Sequence, residues 1–88
     1  MKRDRLQVIH DILKVIQDRR KIKPTHIMYK ANLSHQMLAE YLNELMSKQL
    51  INEIRGKKGK TYSLTEKGFD FLNKYKMIVE FTDSFGLD

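Results

Sequence analysis

Pro24-Thr25-His26-Ile27-Met28-Tyr29-Lys30-Ala31-Asn32-Leu33-Ser34 holds the two signals on which the fold of this chain turns. Asn32 tolerates the left-handed conformation that ends a helix, and Ser34 is a good N-cap for the next one, so only a tight turn separates two helices. The first is expected to start near Thr25, as N-cap, and to run to Ala31. The second should run from Ser34 to about Lys48, with Leu38, Tyr41, Leu42 and Leu45 on its buried face and Leu33 and Met46 as supports. Its other side carries His35, Gln36, Ala39, Glu40 and Asn43. Small and polar residues there suit a groove, although any solvated helix face has a similar composition.

Downstream, Leu50 to Arg55 and Thr61 to Thr65 read as two strands of a hairpin, with Ile54, Tyr62 and Leu64 inward. Between them Arg55-Gly56-Lys57-Lys58-Gly59-Lys60 combines glycines that free a turn with four cations. The connection reads as too long for a two-residue hairpin and is expected to project as a flexible wing. A mobile loop with incidental charge is the alternative, but four basic residues at one tip favour phosphate contact. Helix-turn-helix followed by a basic hairpin is the order of parts of a winged helix. Such a unit presents one helix and one loop on the same side, as a duplex groove and its flanking phosphates require. The expected fold class is therefore mainly α with a small β-hairpin, a winged helix-turn-helix with a long C-terminal dimerisation helix.

The flanking segments are both helical. Leu6, Ile9, Leu13 and Ile16 recur at helical spacing, widened by Val8, Ile12 and Val15, so a first helix spans Asp4 to about Arg20. Its stripe is wide enough to pack on two neighbours. Pro24 stops this segment by disfavouring helical geometry at Lys23, and Ile22 is a candidate short strand. At the other end Thr65 caps a last helix, with Glu66 against its N-terminal dipole. Phe69, Leu72, Tyr75 and Val79, flanked by Phe71, Ile78, Phe81 and Phe85, carry the apolar pattern to about Phe85, before Gly86. A helix of about 20 residues is about 30 Å long, and a three-helix head covers only its first half. The distal half should meet a second copy, through Leu72, Tyr75, Ile78, Val79, Phe81 and Phe85. A short antiparallel helix pair fits better than a long coiled coil, because no heptads are sustained. The chain then divides into a DNA-binding head at residues 1–68, with its wing at about 51–65, and a dimerisation arm at residues 69–88.

Eighty-eight residues make one small domain, for which oligomerisation adds useful buried area. The formal net charge is +6, and it is segregated. Residues 1–33 hold nine basic and three acidic side chains, residues 51–64 four and one, and residues 65–88 three and five. Clustered cations gain affinity for a polyanion by displacing its counterions; a solvated basic surface of the kind found in heat-adapted proteins is the other reading. Cysteine is absent, so neither disulfides nor a Cys-based zinc site is available. Apolar runs are short and Met1-Lys2-Arg3-Asp4-Arg5 leads into an amphipathic pattern, so the expected location is cytoplasmic, without membrane contact, and the DNA-binding reading makes it nucleoid-associated. His10, His26 and His35 do not have the spacing of a metal site, and adjacency of Ser34 and His35 does not make a catalytic pair. Gly56 and Gly59 sit in a hairpin rather than between a strand and a helix, so no nucleotide loop is present. No enzyme, cofactor, metal or small-molecule ligand is expected.

Thr25-His26-Ile27-Met28-Tyr29-Lys30-Ala31-Asn32-Leu33-Ser34, Leu50-Ile51 and Tyr62-Ser63-Leu64-Thr65-Glu66-Lys67-Gly68 together resemble the small archaeal winged-helix DNA-binding proteins that include the dimeric ten-a type of chromatin protein. The resemblance covers most of the chain. It implies a homodimer joined by antiparallel C-terminal helices, two heads, and a role in chromosome organisation or transcriptional regulation. Three departures stand out: the last helix is short, Gln49 replaces the Gly common after the recognition helix, and Glu40 and Glu44 lie on or near the face that would approach DNA. On this reading Gln36, Asn43 and Glu40 meet base edges beside Ala39, Ser34 and His35 meet a phosphate, and Lys30, Arg55, Lys57, Lys58 and Lys60 add charge. The competing function is a winged-helix protein-interaction module in a transcription or assembly complex. RNA binding lacks the exposed aromatic ladder that base stacking needs.

Overall fold

A computed structural model describes residues 3–87; Met1, Lys2 and Asp88, which enter the domain limits and charge counts above, lie outside the described residues. The elements are α1 (Arg5–Arg19), α2 (Pro24–Ala31), α3 (His35–Ser47), β1 (Ile51–Gly56), β2 (Gly59–Leu64) and α4 (Glu66–Ser84).

Each helix start has a local cause. Asp4 and Gln7 close a capping box on α1, with the Gln7 N–H donating to Asp4 at 2.8 Å and the Asp4 N–H to Gln7 at 2.9 Å. Val8, Ile9, Ile12, Leu13 and Ile16 of α1 are buried, whereas Leu6, expected on the same stripe, is 56% exposed because the first turn overshoots the core. The start of α2 differs from expectation: Lys23, extended at φ −77°, is the cap, Pro24 takes the first helical position and Thr25 lies inside the first turn. Proline lacks the N–H that this position leaves unpaired, and its fixed φ suits the helix. At the turn, Asn32 is left-handed at φ 56° and the Leu33 N–H donates to the Met28 carbonyl at 3.0 Å. Ser34 then caps α3 by accepting from the Met37 N–H at 3.2 Å.

The hairpin is tighter than its sequence implied. Pairing runs from Ile51 opposite Leu64 to Gly56 opposite Gly59, leaving only Lys57 and Lys58 as the turn. Neither lysine has positive φ; Gly59 takes it instead, at φ 111°, so one glycine lets an ordinary turn close the ladder. Where a short strand was a candidate, Ile22 forms a single bridge to Tyr62, through hydrogen bonds of 3.2 and 2.9 Å.

Leu64-Thr65-Glu66-Lys67-Gly68 acts as a buckle between α3 and α4. The Thr65 hydroxyl accepts from the Gly68 N–H at 3.0 Å and donates to the Gln49 carbonyl at 2.6 Å, while Lys67 Nζ donates to the Lys48 carbonyl at 2.9 Å. Gly68 is required by close approach, since a Cβ there would stand 2.3 Å from the Leu50 carbonyl oxygen. Gln49 is left-handed at φ 61° although it is not glycine. Its N–H and that of Leu50 close the end of α3 on the Met46 and Leu45 carbonyls at 3.0 and 2.9 Å.

The core gathers around Ile12, Leu13, Ile16, Ile27 and Leu45, all fully buried, and no polar side chain among the described residues is buried with them. From α4 the core takes Leu72, with Phe71 packed at its edge. Tyr75 keeps α4 against α1 by stacking on His10, the distal end of α4 leaves the head, and the chain extends 49 Å along its long axis against 28 and 21 Å across.

Candidate nucleic-acid interface

The α3 face opposite the core is open. His35, Gln36, Ala39, Glu40 and Asn43 are all exposed, and α3 contains neither Lys nor Arg. His35, Ala39 and Asn43 line one wall of a cleft of ≈ 230 Å³, with Thr25 at one end and Glu53, Lys60 and Tyr62 of the hairpin opposite. Met28, Leu38, Leu42 and Met46 also line it, so it is apolar at depth and polar at the rim. Gln36 Nε2 stands 3.5 Å from Glu40 Oε1, a long contact across one helical turn that orients both polar heads. Ser34 sits at the helix start with its hydroxyl on the Met37 N–H.

The four cations of the hairpin are not equivalent. Arg55 Nε donates to Glu53 at 2.9 Å and Lys60 Nζ lies 4.0 Å from the same carboxylate. The Tyr62 hydroxyl also donates to Glu53, at 3.0 Å. Arg55 first and Tyr62 second hold the Glu53 carboxyl below its usual range. Burial, then the Glu53 bond, pushes the Tyr62 phenol up to about 12. Lys57 and Lys58, by contrast, are exposed at the turn and make no ion pair among the described residues. Sequence reasoning missed the part played by Glu53. Its signal was the strand register, which sets Glu53 opposite Tyr62 and two positions from the facing pair Arg55 and Lys60.

Two further residues are placed differently from the simplest reading. Glu44 turns toward α1, where Arg5 binds its carboxylate while lying 5.7 Å over the Tyr41 ring. Its charge is thereby compensated rather than presented beside α3. Lys30 lies on the other flank of α2, lining a groove with Arg19, Ile22, His26 and Tyr29, away from the α3 cleft.

The residues expected at a dimer contact divide in two. Leu72 is 7% exposed within the head, and Tyr75 stacks on His10 of α1 at 4.4 Å, so both serve the contact between α1 and α4 in the same chain. Ile78, Val79, Phe81 and Phe85 are uncovered in the single chain, together with Met77 and Leu87. No helix among the described residues is long and apolar enough to cross a membrane.

Comparison with known proteins agrees with this architecture. Over 78 residues the chain is 33% identical to an uncharacterized protein of Methanocaldococcus jannaschii, a match that takes in 89% of this chain but only 35% of that one. The chain thus spans about a third of the curated relative it matches. Among solved structures it is similar to Sso10a-2, a DNA-binding protein from Sulfolobus solfataricus, with a TM-score of 0.82 and 22% identity over 94% of this chain and 85% of that one. It is also similar to the PcaV transcriptional regulator of Streptomyces coelicolor in complex with its natural ligand, with a TM-score of 0.80 and 13% identity, over 90% of this chain and 58% of that one. At those identities the two structures establish the fold alone. The model of the winged helix-turn-helix family matches residues 2–83, nearly the whole chain, and the protein belongs to that family.

Proposed function

We propose that this protein is a non-enzymatic, homodimeric duplex-DNA-binding protein that acts as a chromatin-associated factor or transcriptional regulator. The observation that carries the proposal is that His35, Ala39 and Asn43 of the open α3 face and Glu53, Lys60 and Tyr62 of the hairpin line one cleft. In the bound state α3 enters the major groove, Gln36, Glu40 and Asn43 meet base edges, and Ala39 gives the backbone room to approach. Ser34 and His35, at the N-terminal end of α3, meet a phosphate. Lys57 and Lys58 supply the wing's free charge to the flanking backbone, while Arg55 and Lys60 are shared with Glu53. The similarity to Sso10a-2, a DNA-binding protein of the same fold, supports the same reading.

The arm completes the proposal. Ile78, Val79, Phe81 and Phe85 present an apolar face that water would otherwise cover, and the antiparallel α4 of a second copy buries it. Two heads then act together. A protein partner for α3 would be favoured by the carboxylates Glu40 and Glu44, and the Arg5 contact withdraws Glu44 from that surface.

The test is salt-dependent binding to a mixed-sequence duplex, followed by fluorescence anisotropy. Replacing Lys57 and Lys58 by Ala should weaken binding to every sequence and lower the log–log salt slope by about one unit for each phosphate no longer neutralised. An unchanged slope in the double variant would remove the wing from the mechanism. Genome-wide occupancy would then separate the roles: sharp peaks for a regulator, broad coverage for a chromatin protein.

A further inference from the structure

The N-terminal cations form two sets. Arg3 is matched by Asp11 at 2.7 Å, Arg5 by Glu44, and Lys14 by Asp18 at 3.5 Å. Arg19, Arg20, Lys21, Lys23 and Lys30 are exposed and make no ion pair among the described residues. All five belong to the corner where α1 passes into α2. Arg19 and Lys30 line a groove of ≈ 140 Å³ with Ile22, His26 and Tyr29, and a second of ≈ 210 Å³ beside it. The one carboxylate lining either groove is Asp18, which Lys14 engages. Lys21 and Lys23 flank buried Ile22 in an extended segment, so the alternation of side chains turns them outward. Tyr29, 77% exposed, stands among these charges.

This corner faces away from the proposed duplex site. On α2 it is Pro24, Thr25 and Met28 that line the α3 cleft, whereas His26, Tyr29 and Lys30 line the corner. At 3.6 residues per turn the two groups centre roughly 150° apart around the helix axis. Uncompensated Lys and Arg with a phenol hydroxyl are a phosphate-binding set.

We propose that the α1–α2 corner is a second, sequence-independent phosphate-backbone surface that holds a different duplex from the one under α3, so that a single head bridges two. The inference rests on the duplex-binding function proposed above. Arg19 and Lys30 are its centre, Lys21 and Lys23 extend it along the edge of the hairpin sheet, and Tyr29 donates to a phosphate oxygen.

Capture of a fluorescent duplex by a bead-bound duplex tests the inference, in the Ile78→Glu/Phe81→Glu background so that two heads joined through α4 cannot account for the bridge. At low salt, about 50 mM, the background variant should still capture the second duplex. Adding Arg19→Glu and Lys30→Glu should reduce capture at least about tenfold while single-duplex affinity changes no more than about twofold. The same charge change at Lys74 and Lys76 should leave capture intact. Loss of capture on introducing the α4 substitutions alone, or capture indifferent to the corner reversal, would overturn the inference. So would a fall in single-duplex affinity as large as that from Lys57→Ala/Lys58→Ala, which would place the corner on the same duplex as the wing. Absence of single-duplex binding in the parent chain would instead overturn the duplex reading, and this inference with it.

Discussion

The two halves of α4 carry one continuous apolar pattern and meet opposite fates. In the proximal half Gly68 presses on the Leu50 carbonyl and Leu72 enters the core; in the distal half Ile78, Phe81 and Phe85 are each more than 60% exposed. Periodicity identifies an apolar face but does not say what covers it. Coverage depends on reach, and a 19-residue helix of about 28 Å outruns a head whose remaining elements are short. The proximal half is therefore a structural strut, and the distal half is an apolar face left uncovered in the single chain.

Substitutions in the two halves should separate these roles. Gly68→Ala brings a Cβ against fixed backbone and should destabilise the head by about 3 kcal/mol, read from the urea midpoint. Helix propensity alone would stabilise it by about 1 kcal/mol, so the sign of the change decides whether close approach dominates. In the distal half Ile78→Glu/Phe81→Glu should weaken dimerisation about a hundredfold, roughly 2.7 kcal/mol, and leave the head's stability within about 0.5 kcal/mol. Sedimentation showing an intact dimer would put the interface elsewhere. The smallest effect is expected where α3 meets the buckle: Gln49→Gly relieves a left-handed non-glycine residue and should stabilise the head by about 0.5–1 kcal/mol. A fall in stability there would mean that the Gln49 side chain contributes more than its backbone strain costs.

What the sequence disclosed and what it concealed follow from the range of the interactions. The Asn32 turn and the Ser34 and Thr65 caps were legible, because they depend on side chains within a few residues, whereas the candidate strand at Ile22 is reduced to a single bridge to Tyr62. The start of α2 was misjudged by two residues because Pro24 and Thr25 both suit a helix start, and Pro24 claims the first position. The hairpin turn was judged too long because Gly56 and Gly59 both looked like loop residues, whereas they pair with each other at the ends of the strands. Arg5 with Glu44, 39 positions apart, and Arg55 and Lys60 with Glu53 were beyond reach, since each depends on packing or cross-strand register. The open α3 face was legible as exposed, but the apolar cleft beside it depends on how the hairpin folds back. Lys30 was grouped with the wing cations as added charge for DNA, and the rotation of α2 sends it to the other flank.

The central claim, a head that reads a duplex and an arm that does not, is tested most directly by following backbone amide NMR signals while a short duplex is added to the intact chain. The account predicts that the largest shifts fall on His35, Gln36, Ala39 and Asn43 of α3 and on Lys57 and Lys58 of the wing, with signals from Ile78 to Phe85 unmoved. Shifts concentrated on the distal half of α4, or an α3 face that does not respond at saturating duplex, would contradict it.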